Sequence, residues 1–368
     1  MQPRKSIDPI LLSLVMILVF GGFLIFASAS LGLLARSGAS FSSVAFNQFF
    51  FGIVGGSIAL FLTSNIHYRH WRKYAFYIFL FSCLVALLVF VPNLSFTHGG
   101  ATRWVVIGGF SFQPAELLKL GFIIYMATWL SGMHKHLATF RYGALPFYGL
   151  LAIPGIILLA QPDTDSFLII AAAGMAMFIT AGGRWRDIGT LLLIGIILLA
   201  TLAFTRPYVM DRFTSFIDPS IDPQGQSYQV RQSLIAIGSG GLAGRGFGQS
   251  VQKFEYLPEP IGDSIFAVYA EEFGFLGTAT LIMLLSVFTF RGYRLATEAP
   301  DFFGMLLTVG FMTFIVSQAF LNIASMVGLA PISGIPLPFI SHGGTALFMT
   351  LAAVGIVLNI SKYRRKRS

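Results

Sequence analysis

Residues 10–34 read ILLSLVMILVFGGFLIFASASLGLL, 25 residues without a formal charge. A helix needs about 20 such residues to cross the hydrocarbon core of a bilayer. In lipid every backbone N–H and C=O must be paired within the run, and a helix does that. Arg4 and Lys5 precede the run, and Ala27-Ser28-Ala29 inside it looks like a signal-peptidase site. A secretory core is only about 7–15 residues long, so the expectation is a retained first membrane helix.

The pattern repeats along the chain. Runs of spanning length fall near 10–34, 45–64, 74–92, 115–132, 145–160, 166–182, 187–204, 264–290, 302–325 and 343–361. The expected fold is therefore an all-α membrane protein, a bundle of ten transmembrane helices forming one domain over 1–368. Composition agrees: 55% of the residues are hydrophobic and only 11% are charged, against about 25% charged in soluble domains. The net charge of +9 would suggest nucleic acid in a soluble protein. Here, with the N-terminus placed in the cytoplasm, 16 of the 24 Lys and Arg fall on that side. The charge is the positive-inside bias of membrane loops, and no nucleic-acid partner is expected. Both termini are then cytoplasmic, and 11 of the 15 carboxylates face outward. The single cysteine, Cys83, excludes an internal disulfide and a cysteine-based metal site.

Two outward connections are long, about 92–114 and about 205–262 between the seventh and eighth spans. Long connections in a compact domain usually carry function. In the first, Arg103 precedes Gln113-Pro114-Ala115-Glu116 and Lys119. Pro114 suits a first helical turn, Glu116 suits the dipole there, and Lys119 shares its face. Capping with an internal ion pair explains these residues as well as a binding role does. Gln161-Pro162-Asp163-Thr164-Asp165 is a tight turn whose carboxylates could cap the next helix. The second connection holds an amphipathic stretch around Arg231, then Gly238, Gly240, Gly241, Gly244, Gly246 and Gly248 with Arg245 among them. Glycines this dense let backbone N–H groups approach an anion, although no Gly-Lys-Ser/Thr is present. A merely flexible loop would look the same. Next come Glu255, Tyr256, Leu257, Pro258, Glu259, Pro260, Ile261, Gly262, Asp263 and Ser264. Asp263 stands where loop becomes helix and on residue type alone is as well read as an N-cap. Glu271 and Glu272 lie two turns further in, where carboxylates are costly unless they face a polar cavity. The stretch PISGIPLPFISHGG, 331–344, is expected to re-enter the bundle, with His342 as its one titratable group.

These motifs, in this order, resemble the SEDS family (shape, elongation, division and sporulation), the bacterial cell-wall polymerases. The resemblance rests on GGATRWVVIGGFSFQPAELLKL (99–120), the QPD turn (161–163), YQVRQSLIAIGSGGLAGRGFGQS (228–250), YLPEPIGDSIFAVYAEEFGFLG (256–277) and IPLPFISHGG (335–344). It is closer to the division branch than to the elongation branch. It implies polymerisation of lipid II into glycan strands at the outer face of the inner membrane, beside a class B penicillin-binding transpeptidase and divisome activators. It places the essential aspartate at Asp263 and substrate-binding groups at Arg103, Gln113, Glu116 and Lys119. Arg231, Arg245, Glu259 and Ser341 join these as substrate-binding candidates. Ile261-Gly262 stands where the family commonly has His-Thr, Asp165 where it has Gly, and His342 where it has Tyr. The expected reaction is inverting: Asp263 takes the proton of the acceptor hydroxyl, and Arg103, Lys119, Arg231 and Arg245 neutralise the leaving diphosphate, with Mg²⁺ or Mn²⁺ as a candidate cofactor. A lipid II flippase and a scaffold recruiting the transpeptidase are the competing readings. A flippase needs polar groups across the bilayer, and the middle spans carry almost none.

Overall fold

Uncharged runs of this length pair their backbone groups internally, and the computed structural model is accordingly mostly helical. It describes residues 6–36, 44–92, 94–98, 101–107, 110–205, 207–218 and 226–365. The long helices are α1 (Pro9–Arg36), α2 (Val44–Asn65), α3 (Arg69–Leu87), α4 (Pro114–Met133), α5 (Phe140–Ala160), α6 (Thr164–Thr180) and α7 (Trp185–Thr205). After α8 (Pro207–Ile217), α9 (Gln226–Ser239) and the short α10 (Gln252–Glu255) come α11 (Ile265–Thr297), α12 (Phe302–Met326) and α13 (Gly344–Ser361). Among the described residues eight helices are long and apolar enough to cross a membrane. Of the ten expected spans, α4 and α6 are not among these eight. α4 carries Glu116 and Lys119, and α6 has only 17 residues.

One expectation needs correction. The chain is not all-α: 92–114 holds a three-stranded antiparallel sheet in the order β1 (Ser95–His98), β2 (Ala101–Ile107), β3 (Phe110–Phe112). Val105 stands opposite both Ser95 and Phe112. The long connection 205–262 contains α8, α9 and α10, and α9 covers the amphipathic stretch around Arg231.

α12 is the centre of the bundle. It packs on α4, α6, α11 and α13, while α13 packs on α2, and α1 and α9 on α11. α7 is nearly bare and has α8 as its main neighbour. The residue before α1 and the segment just after α13 meet at one end of the bundle. There the fully buried Asp8 receives hydrogen bonds from Arg291 on α11 and, at 2.8 Å, from Arg364 beyond α13.

α11 is broken at Gly274, whose φ of 63° lies in the left-handed region. In an unbroken helix the carbonyls of Glu271 and Glu272 would accept from Phe275 and Leu276. Instead the glycine-rich segment fills the gap. The N–H groups of Arg245 and Gly246 donate to Glu271 O (3.0 Å) and Glu272 O (2.9 Å), and those of Phe275 and Leu276 donate to Gly241 O (2.9 Å) and Leu242 O (3.1 Å). A Cβ at Gly244 would stand 2.1 Å from Glu272 O, and one at Gly240 2.1 Å from Ala270 O. Glycine is required here for backbone-to-backbone contact with a broken helix.

Below this splint lies a buried ion pair. Lys253 Nζ donates to Glu272 Oε1 (2.7 Å), Ser28 Oγ (3.0 Å) and Gly248 O (2.9 Å). Glu271 accepts from Ser250 Oγ (2.6 Å) and from the N–H groups of Val251 (3.1 Å) and Gln252 (3.2 Å). Both carboxylates thus hold the 240–253 segment against α11.

Candidate active site

The turn before α11 is built by its own sequence. Glu259, between Pro258 and Pro260, has φ 45°, and its carbonyl accepts from Gly262 N (3.0 Å) and Ser264 N (3.3 Å). The residue flanking α11 is Ser264, so Asp263 is not its N-cap. Tertiary contacts then clamp the turn from three directions. Asn322 of α12 donates through Nδ2 to Asp263 O (2.8 Å) and to Ile335 O (2.8 Å). Ser341 Oγ donates to Gly262 O (2.7 Å) and accepts from Leu337 N (2.8 Å), and His342 N donates to Ile261 O (2.7 Å). Gln229 of α9 donates through Nε2 to Ser264 Oγ (2.9 Å).

Within this clamp the Asp263 carboxylate has an oxygen, Oδ1, that is buried with no hydrogen-bond partner. Burial, and next the charge of Glu259, push its pKa up to about 7, with Gln229 opposing. A carboxylate poised near neutrality is suited to general-base work. His342 stacks on Phe26 at 6.0 Å, and its Nε2 is buried without a partner. Burial lowers its pKa to about 4, so the ring is neutral at physiological pH, with Glu259 opposing the shift. It is thus not a cationic partner for Asp263.

The other candidates are placed as follows. Lys119 and Glu116 are both buried and pair at 2.6 Å, with the Lys119 ammonium over the Phe314 ring at 5.1 Å. Gln113 is buried just before α4. Phe314, Gln318 and Asn322 recur every four residues on one face of α12. Gln318 Nε2 donates to Pro336 O (3.2 Å). This face links Lys119 to Asp263 over two turns, about 12 Å at 1.5 Å per residue. Arg103 donates to the carbonyl of Pro162 and lies 4.0 Å from Asp163 Oδ1. Asp165 receives Arg212 Nη1 (2.9 Å) and Gly334 N (3.4 Å). The 331–343 segment therefore runs from the Arg103–Asp165 cluster to the Asp263 turn.

Arg245 does not join Asp263. Its guanidinium stands 3.5 Å from Glu271, two turns along α11, and the N–H groups of Arg245 and Gly246 are spent on helix carbonyls. Of the four cations expected at the diphosphate, Lys119, Arg103 and Arg245 each have a carboxylate beside them. Arg231 is exposed on α9 and forms no ion pair among the described residues. Ser341 uses its hydroxyl twice within the protein and so supports the turn. Asn322, Gln318 and Gln229 were not singled out from the sequence. The signal for the first two was two amide side chains in an otherwise apolar span.

Residues 9–366 match the family described as cell cycle proteins, the FtsW/RodA/SpoVE family. The chain is 36% identical to the stage V sporulation protein E of Bacillus subtilis (strain 168), covering 99% of this chain and 100% of that one. It is 35% identical to a probable peptidoglycan glycosyltransferase FtsW of Geobacter sp. (strain M18), over 99% of both. Its fold matches a chain from a structure of a peptidoglycan synthase complex that coordinates polymerization and crosslinking, with TM-score 0.78, 27% identity and coverage of 98% and 99%. It also matches the crystal structure of the rod shape determining protein RodA of Thermus thermophilus, with TM-score 0.70, 26% identity and the same coverage. Sequence, length and fold agree over the whole chain, which therefore belongs to the FtsW/RodA/SpoVE family of cell cycle proteins.

Proposed function

We propose that this chain is a peptidoglycan glycosyltransferase that polymerises lipid II by inverting transfer, with Asp263 as general base. Asp263 takes the proton of the acceptor GlcNAc 4-hydroxyl as that oxygen attacks C1 of the donor MurNAc, and undecaprenyl diphosphate leaves. The observation that carries this reading is a buried carboxylate oxygen without a partner, poised near pH 7, in a turn clamped by α9, α12 and the 331–343 segment. Exposed Arg231, without an ion pair among the described residues, is the one of the four expected cations free to meet a diphosphate, while Arg103 and Lys119 are held by partners within the protein. Lipid chains would lie along the apolar faces left bare by α7.

The membrane reading has ten crossings, the eight long helices plus α4 and α6, in the inner membrane. An even number fits the ion pair of Asp8, just before α1, with Arg364, just after α13. The positive-inside bias puts that end in the cytoplasm and Asp263 on the extracytoplasmic face. A class B penicillin-binding transpeptidase is the proposed partner, by analogy with the synthase complex, together with divisome activators. A divalent cation, Mg²⁺ or Mn²⁺, also fits. In the alternative in which Asp263 is a ligand and not the base, it and Glu259 would supply two carboxylates, which suits an ion that keeps waters and completes its shell with phosphate oxygens. Among the described residues no group of three or more His, Cys, Asp or Glu forms a full protein cage. When bound, such an ion would neutralise charge on the leaving diphosphate.

The test is polymerisation of labelled lipid II by the purified protein, with and without a cognate transpeptidase. Asp263→Asn should bind lipid II and lose about 10²–10⁴ in rate, the usual worth of a general base. Glycan strands made at the parent rate by that variant would overturn the assignment.

A further inference from the structure

Asn322 is fully buried, and both protons of its amide are spent. Nδ2 donates to Asp263 O and to Ile335 O, each at 2.8 Å. This fixes the amide orientation, because a flipped group would set Oδ1 against two carbonyl oxygens that can only accept. Oδ1 is therefore an acceptor, held one amide-width from the backbone of Asp263. It is buried and has no hydrogen-bond partner. Buried side-chain oxygens without a donor are uncommon and costly to maintain. Here the orphan acceptor belongs to an amide held on the central helix and hydrogen-bonded to the backbone of Asp263, the residue that carries the other orphan oxygen, Oδ1. Unpartnered acceptors on two residues joined by a hydrogen bond suit a ligand with two neighbouring donors. The proposed acceptor sugar has them. Its reacting 4-hydroxyl is flanked by a 3-hydroxyl, and a 2-acetamido N–H lies one carbon further round the ring.

We propose that Asn322 is a specificity-determining residue. Its Oδ1 accepts a hydrogen bond from a second donor of the acceptor sugar, the 3-hydroxyl or the 2-acetamido N–H, and orients the ring so that the 4-hydroxyl meets Asp263. The inference rests on the glycosyl-transfer reading of the Asp263 turn. Its Nδ2 contacts alone would make Asn322 a mere brace. The unpartnered Oδ1 adds a substrate contact.

The experiment uses single coupling onto lipid II acceptors, with a donor whose own 4-hydroxyl is blocked. Three acceptors are compared: natural, 3-deoxy, and one with the 2-acetamido N–H replaced by an ester oxygen. A site built around a hydrogen bond rejects the analogue lacking it by ~10² or more in kcat/KM. The parent protein should reject one of the two analogues by that factor, which identifies the donor. Asn322→Ala should be slower with natural acceptor and should treat that analogue and the natural acceptor alike. Equal kcat/KM for all three acceptors in the parent overturns the proposal, and that result needs no variant that might misfold. A parent preference that survives unchanged in Asn322→Ala overturns it as well, because the discrimination is then made elsewhere. No coupling of natural lipid II by the parent would overturn the glycosyl-transfer reading and this inference together.

Discussion

Replacing Lys253 by Met tests the buried pair that holds the glycine-rich segment to α11. The Lys253 and Glu272 side chains are 0% and 1% exposed, and the ammonium makes three hydrogen bonds, to Glu272, Ser28 and Gly248. Removing it leaves the Glu272 carboxylate buried with only the Ser28 hydroxyl, which lies 2.6 and 2.7 Å from its two oxygens. It also leaves Gly248 O without that donor. Breaking a buried pair from one side costs about 3–5 kcal/mol, whereas replacing both partners by apolar residues is often close to neutral. Lys253→Met should therefore lower unfolding stability by about 3 kcal/mol, the low end, since the Ser28 hydroxyl remains. The double variant Lys253→Met/Glu272→Leu should recover most of that loss. The assay is denaturant unfolding in detergent micelles, followed by tryptophan fluorescence and analysed as a double-mutant cycle. A Lys253→Met loss below ~1 kcal/mol, the worth of an exposed pair, would refute the reasoning. So would a double variant less stable than the sum of the two single changes.

Other outcomes follow from the same geometry. Asp263 must be ionised to act as a base, so kcat/KM should rise with pH through about 7 and level off above it. Glu259→Gln removes the neighbouring charge and should move that limb to lower pH; a limb that stays put would separate Glu259 from Asp263. Because the Asp263 pKa is raised on folding, its contribution to stability is present below about 4 and is lost as pH rises through 7. Gly244→Ala puts a Cβ 2.1 Å from Glu272 O at φ +81°, and strain of ~1–2 kcal/mol plus two weakened hydrogen bonds should give a loss of at least ~2 kcal/mol in the same unfolding assay. In a Cys83→Ala background, an impermeant maleimide should label Ser111→Cys in intact cells and His136→Cys only after permeabilisation; the reverse pattern would invert the proposed orientation.

The sheet of 95–112 was within reach of the sequence. Gly99-Gly100 and Gly108-Gly109 separate short stretches rich in β-branched and aromatic residues, a hairpin signal that the length of apolar runs does not carry. The glycine-rich segment was recognised as special, but glycines allow close approach to an anion and to another backbone alike. Only the position of α11 shows that the approach is to the carbonyls of Glu271 and Glu272. Arg245, read as a diphosphate ligand, is likewise tied to Glu271 by that packing.

The sequence by itself determined what solvation dictates. The length and apolarity of its runs impose membrane helices, the Lys and Arg bias proposes their direction, and the 256–264 turn marks Asp263 at the start of α11. It could not determine which polar groups meet, because Asn322 and Ser341 lie 59 and 78 residues beyond Asp263 in the chain. A side chain's partners, its burial and so its pKa are set by contacts between distant segments. Those contacts turned Asp263 from an apparent cap into a carboxylate with one buried, unpartnered oxygen, poised near neutrality, and brought the Asn322 amide against its backbone.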